Sequence, residues 1–329
     1  MTKTAPLIWA LVDRQPGNKS QVGGVVEALG LDYKIKKLGY TAAAGLPNVV
    51  RGRGFTGLDE ATRKSLVAPW PDLIVAAGRR TAPVARGIKQ ASKGKTFLCQ
   101  IMYPGSSGAS EFDMICVPRH DGRAPSENFL FIDGAPHRVT SGRLSEEGKT
   151  WAPRFADYPK PWIGLIVGGS TRRRAFTEAM AADLGGLVGK AAKRIGGSLL
   201  VTTSRRTGEG PLARLKACLS VPTYLYEWGS GDQNPYFGLL ALADAVVVTG
   251  ESVSMCSEAA AAPGSLFIYA PPGLCAPKHR RFHDELVARG HARIFDKSVG
   301  LEPWDGPKPN AAGEIAAAIK DRLPITRNV

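Results

Sequence analysis

The 329-residue sequence predicts an α/β protein made of two Rossmann-like, doubly wound domains. Three observations carry this expectation. Short β-rich apolar runs alternate with stretches of helical spacing, the rhythm of parallel sheets covered on both faces. The length suits two domains of roughly 150 residues each. A proline-rich, weakly periodic stretch at 152–162, APRFADYPKPW, interrupts the rhythm and suits a linker. The division read from it is 1–155 and 156–329.

The elements follow in order. In the first half, strands are expected at 6–12, 72–77, 96–102, 113–118 and 128–133, with helical spacing over 19–30 and 80–91. The opening MTKTAPLIWALVDRQPG reads as a first strand, because its apolar stretch ends in Asp13-Arg14 with no small-residue cleavage site. In the second half, strands are expected at 162–168, 198–203, 223–226, 245–249 and 265–270. Helices are expected at 174–195, 209–219, 235–243, 252–262 and 279–290. A last helix over 310–322 has Asn310 as its cap.

Composition removes several classes. Hydrophobic residues at 43% and charged residues at 22% exclude a disordered chain, a fibrous repeat and a polytopic membrane protein. No apolar run approaches the ~20 residues of a spanning helix. Lys and Arg number 43 against 29 Asp and Glu, a formal charge of +14. Such a field gathers nucleotides, phospholipid headgroups, lipopolysaccharide or nucleic acid. Nucleic acid is set aside, since no basic run interleaves with aromatics and no binding module is present. Cys99, Cys116, Cys218, Cys256 and Cys275 are scattered and form no CxxC pair. They read as free thiols in a reducing, cytoplasmic compartment.

Chemistry in a doubly wound domain gathers where strands end. After AVVVT comes Thr249-Gly250-Glu251-Ser252-Val253-Ser254, with Glu258 one turn on. Free N–H groups at a helix start attract phosphate, Ser252 and Ser254 add hydroxyls, and Glu258 suits ribose hydroxyls. The same residues equally suit a plain cap, with Glu251 complementing the helix dipole. Gly168-Gly169-Ser170 and three arginines follow another strand, and Ser204-Arg205-Arg206-Thr207 a third. Arginines offer forked donors for phosphate, or they are solvated surface. Asn234 and Pro235 read as a helix cap and first residue, and Asn234 and Tyr236 as groups near a base or sugar.

In the first half, Asp13 ends a strand and is a candidate general base. Asn18 and Gln21 have capping-box spacing. Gly78-Arg79-Arg80 and Arg119-His120-Asp121 follow two further strands, and His120 beside Asp121 is a second acid/base candidate. No HExxH, His/Cys cluster or EF-hand loop is present, so no protein-bound metal is expected. GxSxG is absent, which leaves a serine hydrolase unsupported. The missing glycine fingerprint after the first strand argues against an NAD enzyme or a sugar epimerase.

Together, Asp13…Gly17-Asn18…Gln21, Gly78-Arg79-Arg80-Thr81-Ala82-Pro83 and Pro118-Arg119-His120-Asp121 resemble the mitochondrial-fission family of the plant elongated-mitochondria protein and its bacterial relatives. In the second half the resemblance rests on Gly168-Gly169, Thr203-Ser204-Arg205-Arg206-Thr207, Asn234-Pro235-Tyr236, Ala243-Asp244 and Thr249-Gly250-Glu251-Ser252-Val253-Ser254-Met255…Glu258-Ala259. Two positions depart from it: Glu251 stands where Asp is expected, and Arg119 where an acidic residue is common.

The resemblance implies a GT-B-like glycosyltransferase: two Rossmann-like domains facing across a cleft, with the C-terminal helix packing back. The C-terminal half would hold a nucleotide-sugar donor through Gly168, Gly169, Ser170, Arg205, Arg206, Ser252, Ser254 and Glu258, with Asn234 and Tyr236 near the base or sugar. The N-terminal half would hold a glycan or lipid-linked acceptor near Asn18, Gln21, Arg79 and Arg80, with Asp13 or His120 as catalytic base. No cofactor or metal is expected beyond the nucleotide sugar as co-substrate. The alternative reading is a non-catalytic scaffold, whose charge docks it on an anionic membrane surface from the cytoplasmic side.

Overall fold

The computed structural model describes residues 5–323. It separates into two compact units: the chain up to Arg138 together with the stretch from Asn310 onward, and Val139–Pro309. Each unit holds one six-stranded parallel sheet.

In the first unit the strands are β1 (Ile8–Val12), β2 (Lys34–Lys37), β3 (Leu73–Ala77), β4 (Phe97–Ile101), β5 (Met114–Pro118) and β6 (Phe129–Ile132). Its helices are α1 (Pro16–Leu29), α2 (Asn48–Arg51), α3 (Glu60–Ser65) and α4 (Ala82–Ala91). The sheet order is β2-β1-β3-β4-β5-β6. Alternation along β1 sends Ile8, Ala10 and Val12 into one core, and Trp9 and Leu11 into the core on the other face.

The second unit begins with α5 (Ser141–Phe155) and continues through β7 (Trp162–Val167), α6 (Glu178–Arg194), β8 (Ser198–Thr203), α7 (Glu209–Cys218) and β9 (Thr223–Tyr226). It ends with α8 (Tyr236–Leu242), β10 (Ala245–Thr249), α9 (Val253–Ala260), β11 (Ser265–Tyr269), α10 (Pro277–Ala288) and β12 (Ala292–Ile294). The sheet order is β12-β11-β10-β7-β8-β9. Val246 and Val248 of β10 face one core, and Ala245 and Val247 the other.

The last helix, α11 (Ala311–Arg322), returns to the first unit. Asn310 caps it, its side chain accepting from the Gly313 N–H at 3.0 Å. Ile315 and Ile319 join Val22, Val25 and Leu29 of α1 in one core.

The unit boundary falls at Arg138, whereas the sequence placed a linker at 152–162. That stretch is instead the end of α5 and the approach to β7. Pro153 sits in the last turn of α5, and Trp151 and Phe155 are fully buried beneath it. Among the described residues no helix is long and apolar enough to cross a membrane.

Candidate functional site

In an open parallel sheet the strand order reverses at one point, and the loops leaving the two strands there diverge to opposite faces. In the second unit that point lies between β7 and β10, because successive strands run outward from each. The loops leaving them are Gly168–Arg174 and Gly250–Ser252. Both were singled out by sequence, and the structure brings them together.

Their centre is Glu251, whose side chain is wholly buried. Its Oε1 accepts from the Gly169 N–H at 2.8 Å and from Arg206 Nη2 at 3.0 Å. Thr249 Oγ1 accepts from the Gly168 N–H at 2.8 Å. The β8 loop closes the turn from the other side. The Ser170 N–H donates to the Arg206 carbonyl at 2.9 Å, and the Ser204 and Thr207 hydroxyls donate to the Gly168 carbonyl. Only glycine fits at 169, where φ is +123° and a Cβ would meet the Arg206 backbone.

This geometry reassigns the glycine loop. The amides of Gly168, Gly169 and Ser170 are all engaged by protein acceptors, and Ser170 Oγ accepts from the Phe176 N–H at 3.0 Å. Gly168–Ser170 therefore shape the site by close packing rather than by offering amides. The open donors belong to α9. Its first-turn amides, Val253 and Ser254, have no intrahelical acceptor. Ser252 caps the helix, accepting from the Met255 N–H at 3.4 Å, and Ser252 and Ser254 are half-buried. Arg205 is exposed. Arg206, paired on one side with Glu251, keeps about a third of its side chain in solvent.

Electrostatics follow from burial. Burial raises the Glu251 carboxyl above its ordinary value, while Arg206 pulls the other way. Glu251 Oε2 has no hydrogen-bond partner. Glu258 is buried in α9 and accepts from the Tyr236 hydroxyl at 2.5 Å. Burial, then the Glu258 charge, pushes that phenol well above its usual range, so Tyr236 is a neutral donor. Asn234 is exposed, and its Oδ1 accepts from the Tyr236 N–H at 3.0 Å in a turn leading into α8; the helix starts one residue later than expected, so Pro235, not Asn234, is at the N-cap position.

Sequence reading missed His279, in the first turn of α10. Burial, then Lys278, lowers it to about 4, and it lies in the field of Arg174 and Arg206. It is a neutral imidazole beside the arginine loops. The signal was the run Lys278-His279-Arg280-Arg281 opening a helix after β11.

In the first unit the order reverses between β1 and β3. Asp13 follows β1, and its carboxylate accepts from Asn18 Nδ2 at 3.1 and 3.2 Å and from the Gln15 N–H at 2.9 Å. Asn18 thus lies inside α1 and fixes Asp13 instead of capping the helix. Gly78 follows β3 with φ +83°, and a Cβ there would lie 2.7 Å from Asn18 Nδ2. Gln21 is buried. Arg79 and Arg80 are exposed, and Arg79 Nη1 donates to the Leu46 carbonyl at 3.1 Å. His120 is buried on the turn after β5, with Nε2 3.9 Å from Asp121 Oδ1. β5 lies three strand spacings from β1, so His120 and Asp13 share a sheet edge but stand roughly 14 Å apart.

Comparison with known proteins adds the family. The model for the family described as Mitochondrial fission ELM1 matches residues 16–323. The chain belongs to that family. Similar relatives include an uncharacterized protein, RP120, of Rickettsia prowazekii, 28% identical over 98% of this chain and 99% of its own length. The mitochondrial fission protein ELM1 of Arabidopsis thaliana is 26% identical over 81% of this chain and 67% of its own.

Among solved structures, the UDP-GlcNAc 2-epimerase of Methanocaldococcus jannaschii matches with a TM-score of 0.58 at 13% identity, covering 97% of this chain and 100% of that one. The S. aureus MnaA–UDP co-structure matches with a TM-score of 0.52 at 10% identity, covering 98% of each. At these identities the likeness is one of fold: this ELM1-family chain has the two Rossmann-like domains of the GT-B class.

Proposed function

We propose that this ELM1-family chain is a glycosyltransferase that binds a nucleotide sugar in its second unit. The observation that carries the reading is the three-loop junction around the buried Glu251–Arg206 pair, at the strand-order reversal and beside the open amides of α9. Phosphate oxygens would take those amides, the Ser252 and Ser254 hydroxyls and the outer face of Arg206. The Glu258 carboxylate, oriented by Tyr236, would accept from ribose hydroxyls. The acceptor would lie at Asp13 of the first unit.

In the reaction, a base takes the proton of an acceptor hydroxyl and that oxygen bonds to the anomeric carbon. The bond from that carbon to the nucleotide phosphate breaks, and the phosphate leaves with the electron pair. Arg206 and the α9 dipole would stabilise its growing charge, and donors so placed are each worth about 3 kcal/mol. The fold likeness to a UDP-bound structure recommends UDP as first probe.

Calorimetric titration of the chain with UDP and UDP-GlcNAc tests the reading. Binding is expected, weakened at least tenfold in Glu258→Gln. No binding of either nucleotide, or unchanged affinity in the variant, would refute this site. NMR of the products separates transfer from epimerisation of the free donor. The charge of +14 favours the scaffold reading in one respect only. Salt-sensitive binding to anionic liposomes with no nucleotide binding would replace the enzyme by the scaffold.

A further inference from the structure

We infer that the acceptor is a phosphorylated molecule, whose phosphate is held beside Asp13 by Arg14, Lys19, Lys37 and Arg80. The inference rests on the transferase reading for the word acceptor, but the binding site it describes is tested independently. Two adjoining cavities, of about 550 and 340 Å³, open at the end of β1 and share Asp13, Arg14 and Gln15 as lining. Lys19 and Lys37 line the first, and Tyr40 and Arg80 the second.

Charge is lopsided there. Elsewhere in this unit Arg53 and Arg86 pair with Glu111, Lys89 with Asp113, Arg119 with Asp133 and Arg138 with Glu27. The four cations of the cavities make no ion pair among the described residues. They line the cavities with Asp13, which Asn18 and Gln15 already hold, and Arg14 also lies in the field of Asp59, which accepts from the Thr62 N–H at the start of α3.

The Tyr40 hydroxyl is buried with no hydrogen-bond partner. Burial, then the Asp13 charge, keeps it a protonated donor. Unpaired guanidinium and ammonium groups around a phenol donor match phosphate oxygens. A phosphate there would leave Asp13 free to take a proton from a hydroxyl on the same molecule.

The test is titration of the full chain with dodecyl phosphate and with mannose 6-phosphate, against dodecyl maltoside and mannose. Binding of either phosphate and not of its uncharged match is expected. Preference for the first marks a lipid-linked acceptor, and for the second a soluble one. Arg14→Gln/Lys37→Gln, both exposed positions, should weaken that binding at least tenfold. The double variant should leave UDP affinity unchanged, and exposed Lys95→Gln should change neither. Equal affinity for charged and uncharged probes, or binding that survives the double variant, overturns the inference. Failure of the wild type to bind UDP counts against the donor site alone.

Discussion

Glu251 shows how one buried carboxylate organises three loops. It anchors the Gly169 amide and Arg206, and removing it would strand both, at a cost of about 3 kcal/mol. Its raised pKa has a defined consequence for stability. A carboxyl with a raised folded-state pKa binds its proton more tightly folded than unfolded. Its contribution is full below the ordinary value of 4.5 and is lost as pH rises through the folded value. Glu251→Gln keeps an oxygen for Gly169 and Arg206 and abolishes the titration. In urea denaturation, wild-type stability is expected to fall more steeply than the variant's from pH 4.5 upward. A difference independent of pH would contradict this. The sequence marked Glu251 as a helix-dipole partner and Arg206 as a phosphate ligand. Their pairing was invisible because 45 residues separate them, and only the neighbouring of β7 with β8 and β10 brings them together.

At the scale of elements, apolar and aromatic strands were legible, and the lysine-rich or very short edge strands were not. β8 and β10 coincide with the expected runs, because strands covered on both faces read as continuous apolar segments, and the edge strand β9 coincides too, through its Tyr-Leu-Tyr run. β2 reads Lys-Ile-Lys-Lys and is an edge strand, so no apolar run announces it. β12 has three residues and is the other unit's edge. α5 was lost to its proline, yet it is anchored by Trp151 stacked on Phe155 at 5.6 Å between ring centres. Gly238 of α8 is the contact that admits this indole: a Cβ there would run into Trp151. Overpacking costs about 1–3 kcal/mol, against a gain of about 1 kcal/mol in helix propensity. Gly238→Ala is therefore expected to lower stability in urea denaturation. Gly186→Ala, in α6 with open space around its Cβ position, should raise it. Equal responses would contradict the packing argument.

For the whole molecule, both sheets place their selected residues by one rule. Asp13 and Gly78 leave the strands flanking the first reversal, and Gly168 and Thr249–Ser252 those flanking the second. The polar motifs after strands were readable in sequence because parallel sheets put such loops at one edge. What the edge does was not readable in full, since the glycine loop, taken for a phosphate cradle, has its amides filled by Glu251, Thr249 and Arg206. The central claim is that the second reversal point binds the phosphates of a nucleotide. Hydrogen exchange of the full chain with and without UDP tests it most directly. Protection is expected in the first turn of α9 and in the 204–207 loop, with the amides of 168–170 already slow. Protection confined to other segments, or none at saturating UDP, would contradict it.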